Sequence, residues 1–229
     1  MLRFFRSESL ERASSMQIFW HGLSSIRLEA KTGEQEATLL TDPYSNETGL
    51  RFPRTVEPDL VVLSHQNEKI FNLEGANGSP YVISNPGEYE VKGIFVQGIQ
   101  DQSADTDPLR SVVYRFDAEG ISLAFLGQMK RRLTDVEIEL LGDIDVLLLP
   151  VGGGNVLDSK VAADVITLIE PRLVVPLYYE LPGIKESLTS VEHFCKQLGV
   201  CKRQDATKLK IVKKDLPQDE MIITVLERS

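Results

Sequence analysis

The sequence predicts an α/β fold in which two β-sheets pack face to face and helices cover the outer faces, an αββα sandwich of four layers. Three observations carry this expectation. The first half of the chain is dense in short strands. The hydrophobic period then changes from two to about 3.6 near Thr134, and from there helix and strand alternate.

Strand-like alternation runs through residues 17–20, 24–29 and 37–41, with Lys31-Thr32-Gly33 as a turn, and forms a β-meander that closes on Asp42-Pro43. Residues 59–63 are an apolar run ending in Ser64-His65, followed to Ser79 by a polar, Gly- and Asn-rich segment expected to be a loop or short helix. Strands follow at 81–83, 88–91, 94–99, 111–116 and 121–126, punctuated by Pro86-Gly87, Gly93, residues 117–120 and a polar loop at 100–109. Thr134 and Glu137 have capping-box spacing and open a helix that Gly142 closes. Residues 145–150 make a buried strand, 159–170 a helix stopped by Pro171, and 173–176 a strand. A helix over 190–198 ends at Gly199, and strands at 209–212 and 221–226 complete the chain. No linker splits this pattern, so residues 16–229 are expected to form one domain and 1–15 an N-terminal extension. That extension suits a short amphipathic helix through Leu2, Phe4, Phe5 and Leu10, a frayed tail, or a leader ahead of a domain that opens at Met16.

Composition removes several function classes. With 229 residues, 42% of them hydrophobic, the chain can bury a substantial core. Its net charge of -9 repels a phosphate backbone, and Lys130-Arg131-Arg132 and Lys213-Lys214 are short runs suited to a solvated surface, so no nucleic-acid partner is expected. No apolar run approaches the roughly 20 residues of a membrane span, and the first 15 residues lack a secretory apolar region; a cytoplasmic protein with no membrane partner is expected. Two cysteines, Cys195 and Cys201, are too few for a disulfide framework or a four-thiolate zinc site. They point to packing roles in a reducing cytosol.

Five landmarks stand in order: Trp20-His21-Gly22-Leu23-Ser24-Ser25; Thr41-Asp42-Pro43; Ser64-His65; residues 85–93, beginning Asn-Pro-Gly-Glu; and Phe125-Leu126-Gly127-Gln128 with Asp145 to Gly153 and Pro176-Leu177-Tyr178-Tyr179. Together they resemble the metallo-β-lactamase superfamily, in particular its branch of small bacterial Zn-dependent hydrolases related to the ascorbate-6-phosphate lactonases. The resemblance runs from about Met16 to the C-terminus. It implies a sandwich with metals at one edge of the two sheets, where a divalent ion held at ~2.0 to 2.2 Å lowers the pKa of a bound water.

The positions that would hold that ion are altered. Where the family has His-x-His-x-Asp-His, this chain reads His65-Gln66-Asn67-Glu68-Lys69-Ile70, so His65 remains while Asn67, Lys69 and Ile70 take the other three places. The carboxylate of the family's Leu-Gly-Asp is Gln128, and the imidazole of its Pro-Met-His-Tyr is Tyr178. A further family histidine falls within residues 100–105, which contain none, and the histidine of the family's Leu-Gly-His-Ser is displaced by two positions to His21. Amides are weak zinc donors, Ile70 has no lone pair, and a phenol must first ionise. Lys69 would repel a dication, and an ion pair with Asp42 across the emptied cavity is expected.

Each polar residue also has an ordinary role. Asp42 before Pro43 suits a turn cap, His65 a satisfied core histidine, and His193 a surface position. Glu88 and Glu90 suit structural hydrogen bonding, and Gly152-Gly153-Gly154 marks close backbone approach. Ser24, Ser25 and Ser64 lack a His-Asp partnership, so serine hydrolysis is not expected. The site expected is therefore a vacated metal pocket of Asp42, His65, Asn67, Lys69, Ile70, Gln128 and Tyr178, with no catalytic residue and no cofactor. The corresponding function is an inactive binding or scaffolding protein whose partner is another protein or a second copy, docked on the extension or a sheet edge. Two alternatives stand beside it. One is a hydrolase with a single divalent metal rebuilt from His65, Asp42, Glu68 and Asp101 or Asp105. The other is a sensor of a small anionic ligand using Lys69, Tyr178 and Gln128.

Overall fold

The structure, a computed structural model, describes residues 15–101, 110–199, 201–203 and 206–229. Three strands, β1 (Met16–Gly22), β2 (Ser25–Thr32) and β3 (Gln35–Thr41), make the expected antiparallel meander. After a parallel crossover come β4 (Leu60–Val62) and β5 (Tyr81–Ile83). The chain then enters the second sheet through β6 (Gly87–Val91), β7 (Ile94–Gln100), β8 (Val112–Ala118) and β9 (Ile121–Phe125), each antiparallel to the one before, and β9 pairs in parallel with the next strand of that sheet. Helix α1 (Asp135–Leu141), β10 (Val146–Pro150), α2 (Ser159–Ile169), β11 (Leu173–Leu177), α3 (Val191–Leu198), β12 (Lys202–Arg203), β13 (Lys208–Ile211) and β14 (Ile222–Val225) complete it. The six-stranded sheet has the order β13-β1-β2-β3-β4-β5 and the eight-stranded sheet β12-β14-β11-β10-β9-β8-β7-β6.

The period of two explains the first sheet. Paired positions Ile18, Leu28, Leu39 and Leu60 form one inward row, all fully buried, and alternate residues Gln17, Phe19, Arg27 and Glu29 face the other way. On that outer side the Arg27 guanidinium lies 4.0 Å from the Phe19 ring centre. The continuous apolar runs of β10 and β11 are buried along their whole length, as parallel strands covered on both faces require. Helix α1 packs against β7 and α2 against β10, with α3 beside α2. Over the six-stranded sheet there is no comparable α-helix among the described residues. The segment from Tyr44 to Ala76, with 3-10 turns Asn46–Thr48, Glu68–Ile70 and Leu73–Gly75, contributes Tyr44, Leu50, Phe52, Val56, Phe71 and Ala76 to the core instead.

Local signals account for the ends of these elements. The Thr134 hydroxyl accepts from the Glu137 N–H and the Glu137 carboxylate accepts from the Thr134 N–H, closing the predicted capping box. Asp158 caps α2 by accepting from the N–H groups of Lys160 and Val161, and Glu170, left-handed, ends it before Pro171. Gly199 ends α3 at φ 86. That turn brings Cys195 and Cys201 to a Cα separation of 5.5 Å, and the two are joined by a disulfide. The expectation of two unbonded packing cysteines is thereby corrected: one short bridge needs only a tight reversal, and the helix C-terminus supplies it.

Tyr114, Phe116 and Phe125 stack successively at ring separations of 6.1 Å and are fully buried. Phe116→Ala removes the middle ring, so urea denaturation should show a loss of about 3 to 5 kcal/mol. Val136→Ala, at an exposed position, should change stability by less than about 0.5 kcal/mol.

Candidate functional site

One edge of the sandwich collects the loops that follow β1, β3, β4, β9 and β11. The Tyr178 N–H donates to the Leu23 carbonyl at 3.0 Å, joining the two sheets there. Four residues of these loops, Leu23, Asp42, Gly127 and Tyr178, have φ between 37° and 53°. Left-handed backbone at non-glycine residues costs energy and concentrates where a fold holds side chains in fixed positions.

Asp42 is the centre of this edge and is 1% exposed. Its Oδ1 accepts from the Ser64 backbone N–H at 2.7 Å and its Oδ2 from the Ser64 hydroxyl at 2.6 Å, with a further side-chain hydrogen bond from Ser24. Burial raises the Asp42 pKa to about 6, and the hydrogen bonds from Ser64 and Ser24 oppose that rise without cancelling it. Above them lies Gly127. A Cβ at this position would stand 2.0 Å from Ser64 Cβ and 2.3 Å from Ser64 Oγ, so only glycine fits there, apart from its positive φ. The next residue, Gln128, donates its backbone N–H to Ser64 Oγ at 3.3 Å.

The structure gathers some of the residues singled out in the sequence and disperses others. Asp42 and the Gln128 backbone meet at Ser64, and the negative charge of Asp42 acts on the Tyr178 phenol. That phenol donates to Glu186 at 2.9 Å, and burial, reinforced by the Glu186 charge, pushes its pKa above the usual range. Asn155 holds the second oxygen of Glu186 at 3.1 Å. The half-buried His65 ring accepts the Asn67 N–H on Nδ1 at 3.0 Å, which leaves the proton of the neutral ring on Nε2. Asn67 accepts the Lys69 N–H and so caps the 3-10 turn Glu68–Ile70, whose residues are exposed, Ile70 by 50%. The expected ion pair between Lys69 and Asp42 is therefore corrected. Short polar neighbours satisfy Asp42 inside the fold, while the turn carries Lys69 to the surface.

Several residues of this edge were missed in the sequence. Ser64, considered there only as a nucleophile, instead holds Asp42; its place at the end of a buried strand was the available signal. Glu186 had none. Arg131 forms ion pairs with the fully buried Glu137 and with Asp101, which ties the start of α1 to the end of β7. The displaced His21 is buried, 2.8 Å from the Ser229 hydroxyl, and burial followed by the charge of Arg27 lowers its pKa to about 4. Gly152 does mark a close approach: a Cβ there would lie 2.3 Å from the Tyr178 carbonyl oxygen. Residues 102–105, where a further family histidine and Asp105 were sought, and the extension through residue 14 lie outside the described residues.

A two-sheet sandwich with its polar loops at one strand-end edge defines the class of fold. The domain model described as the beta-lactamase superfamily domain matches residues 17–178, and the chain belongs to that family. A UPF0173 protein of Pyrococcus furiosus is 46% identical over 188 residues, spanning 72% of this chain and 83% of that one. A UPF0173 metal-dependent hydrolase of Lysinibacillus sphaericus is 23% identical over 206 residues, spanning 75% and 88%. These relatives come from archaea as well as bacteria, so the resemblance is wider than the bacterial branch named at the outset. Among solved structures, a Thermotoga maritima protein of the metallo-beta-lactamase superfamily superposes with a TM-score of 0.74 at 29% identity, covering 93% of this chain and all of that one.

The family implies a metal, and the donor set at this edge does not fit one. Among the described residues no three His, Cys, Asp or Glu side chains converge into a group that could hold an ion. Asp42 has both oxygens occupied, and the neighbouring contributors are an amide and a phenol.

Two measurements test this arrangement. Gly127→Ala should lose roughly 2 to 5 kcal/mol in denaturant unfolding, through backbone strain and the clash with Ser64. Because the folded pKa of Asp42 is raised, the folded state binds a proton that the unfolded chain releases between about pH 4 and 6. The corresponding stability is fully present below pH 4 and is lost as pH rises through 6, an increment of at most about 3 kcal/mol. Asp42→Asn should flatten that part of the stability profile relative to the parent protein.

Proposed function

We propose that this chain is a metal-free, catalytically inactive member of its family that works by binding: it presents the intact sandwich to a protein partner or a second copy of itself. The observation that carries this is the closure of Asp42 on Ser64, which occupies both carboxylate oxygens inside the fold. A metal would have to compete with these hydrogen bonds for a carboxylate that is buried away from any cluster of other donors among the described residues. Lys69 and Ile70, turned to solvent, add no donor to replace it. The names of the relatives differ. Those 46% and 40% identical are called UPF0173 proteins, whereas relatives from 22% to 32% identical are called metal-dependent hydrolases.

The rival hydrolase would draw on His65, Asp42, Glu68 and Asp101 or Asp105. Glu68 accepts the Ser84 hydroxyl at 2.6 Å and Asp101 pairs with Arg131, so these carboxylates already have protein partners. A sensor for anions would place its ligand beside Glu186, which holds the Tyr178 hydroxyl and opposes a negative guest. A cytoplasmic location is part of the proposal. No described helix is long and apolar enough to cross a membrane.

Elemental analysis of protein purified without chelators is expected to find less than about 0.1 equivalent of any divalent metal per chain, unchanged in His65→Ala. A stoichiometric metal that disappears in His65→Ala would establish the hydrolase instead.

A further inference from the structure

The eight-stranded sheet ends at β12, an edge strand of two residues that pairs with β14 through Lys202 opposite Thr224 and Arg203 opposite Val225. So short a strand has little to hold it, because each ordered residue loses backbone freedom while gaining about one hydrogen bond. What lies immediately before it is Cys201, joined by a disulfide to Cys195 on the last turn of α3. Both cysteines are half-buried, within reach of a small thiol, and they are the only two in the chain. Beside β12 in the sheet, its partners Thr224 and Val225 are buried at 2% and 5% exposure. β14 is held on its other side by β11, and just past it the Glu227 N–H donates to the Ala206 carbonyl at 3.3 Å, so among the described residues β12 is the strand that covers this edge and the bridge anchors its start.

We propose that Cys195–Cys201 is a site of thiol–disulfide exchange that fastens and releases the sheet edge. A thiolate of a dithiol reductant attacks one protein sulfur, the S–S bond breaks, and a mixed disulfide forms as the other sulfur leaves as thiolate. The second thiol of the reductant then displaces the protein sulfur. The protein gains two electrons and two protons as two thiols, and the reductant leaves as its own disulfide. Without the bridge Cys201 is no longer tied to α3. β12 then exchanges with unpaired conformations, and its part of the β14 backbone is uncovered. This inference stands apart from the metal content of the strand-end site.

The test is hydrogen exchange by mass spectrometry on the full chain, oxidised with glutathione disulfide or reduced with dithiothreitol, with alkylation to count thiols. The oxidised protein should show no free thiol. On reduction it should take up two alkyl groups while folded, and amides of residues 202–203 and 224–225 should exchange at least tenfold faster, with that of Ile222, held by the Arg172 carbonyl, and those of β7 to β9 unchanged. The double variant Cys195→Ser/Cys201→Ser should exchange as the reduced protein does, with or without dithiothreitol. If that variant does not fold, the reduced parent protein supplies the same readout. Two thiols that stay free under oxidation, thiols that react only on global unfolding, or equal exchange in the two states would overturn the proposal.

Discussion

The closure of Asp42 on Ser64 is the constraint on which the functional edge depends. It takes the last residue before Pro43 and the last polar residue before His65 and ties them inside the fold, with both carboxylate oxygens accepting from one residue. Because the group is buried, its hydrogen bonds cannot be replaced by water when one partner is removed, and the surrounding loops take up positions that preserve them. Gly127 is needed because Ser64 occupies the space where a side chain would be, and the Gln128 N–H then finds the Ser64 hydroxyl. Tyr178 comes to the same edge through its backbone bond to Leu23, with its phenol directed to Glu186.

A metal at such an edge would bring strand ends together by coordination; here neutral and charged hydrogen bonds do so. Apolar packing also holds the two sheets: Trp20 lies against Tyr179 at 4.7 Å, and Tyr114, Phe116 and Phe125 stack in the core. Activity does not follow from the architecture alone.

Much of the fold was legible because its signals are local. The meander is written in period two, the capping box of α1 in Thr134 and Glu137, and the end of α3 in Gly199. β12 was not legible, since two residues carry no period. The 3-10 turns around Asn46, Glu68 and Leu73 leave no more than polar composition in the sequence. At the site, motif order supplied an expectation for which positions to compare, but their contacts could not be read. Lys69 was placed opposite Asp42 on charge alone. What decides the matter is geometric: a serine twenty-two residues away along the chain already donates both bonds, and a turn capped by Asn67 faces the lysine outward. The disulfide was hidden for a similar reason, since two cysteines six residues apart meet only when the helix ends between them.

The most direct test is diffraction from crystals soaked in zinc, with data collected on either side of the zinc absorption edge. An Asp42 carboxylate still bonded to Ser64, with no anomalous peak beside it or beside His65, is the predicted result. A strong peak bonded to His65 and Asp42, with the Ser64 hydroxyl displaced, would contradict it.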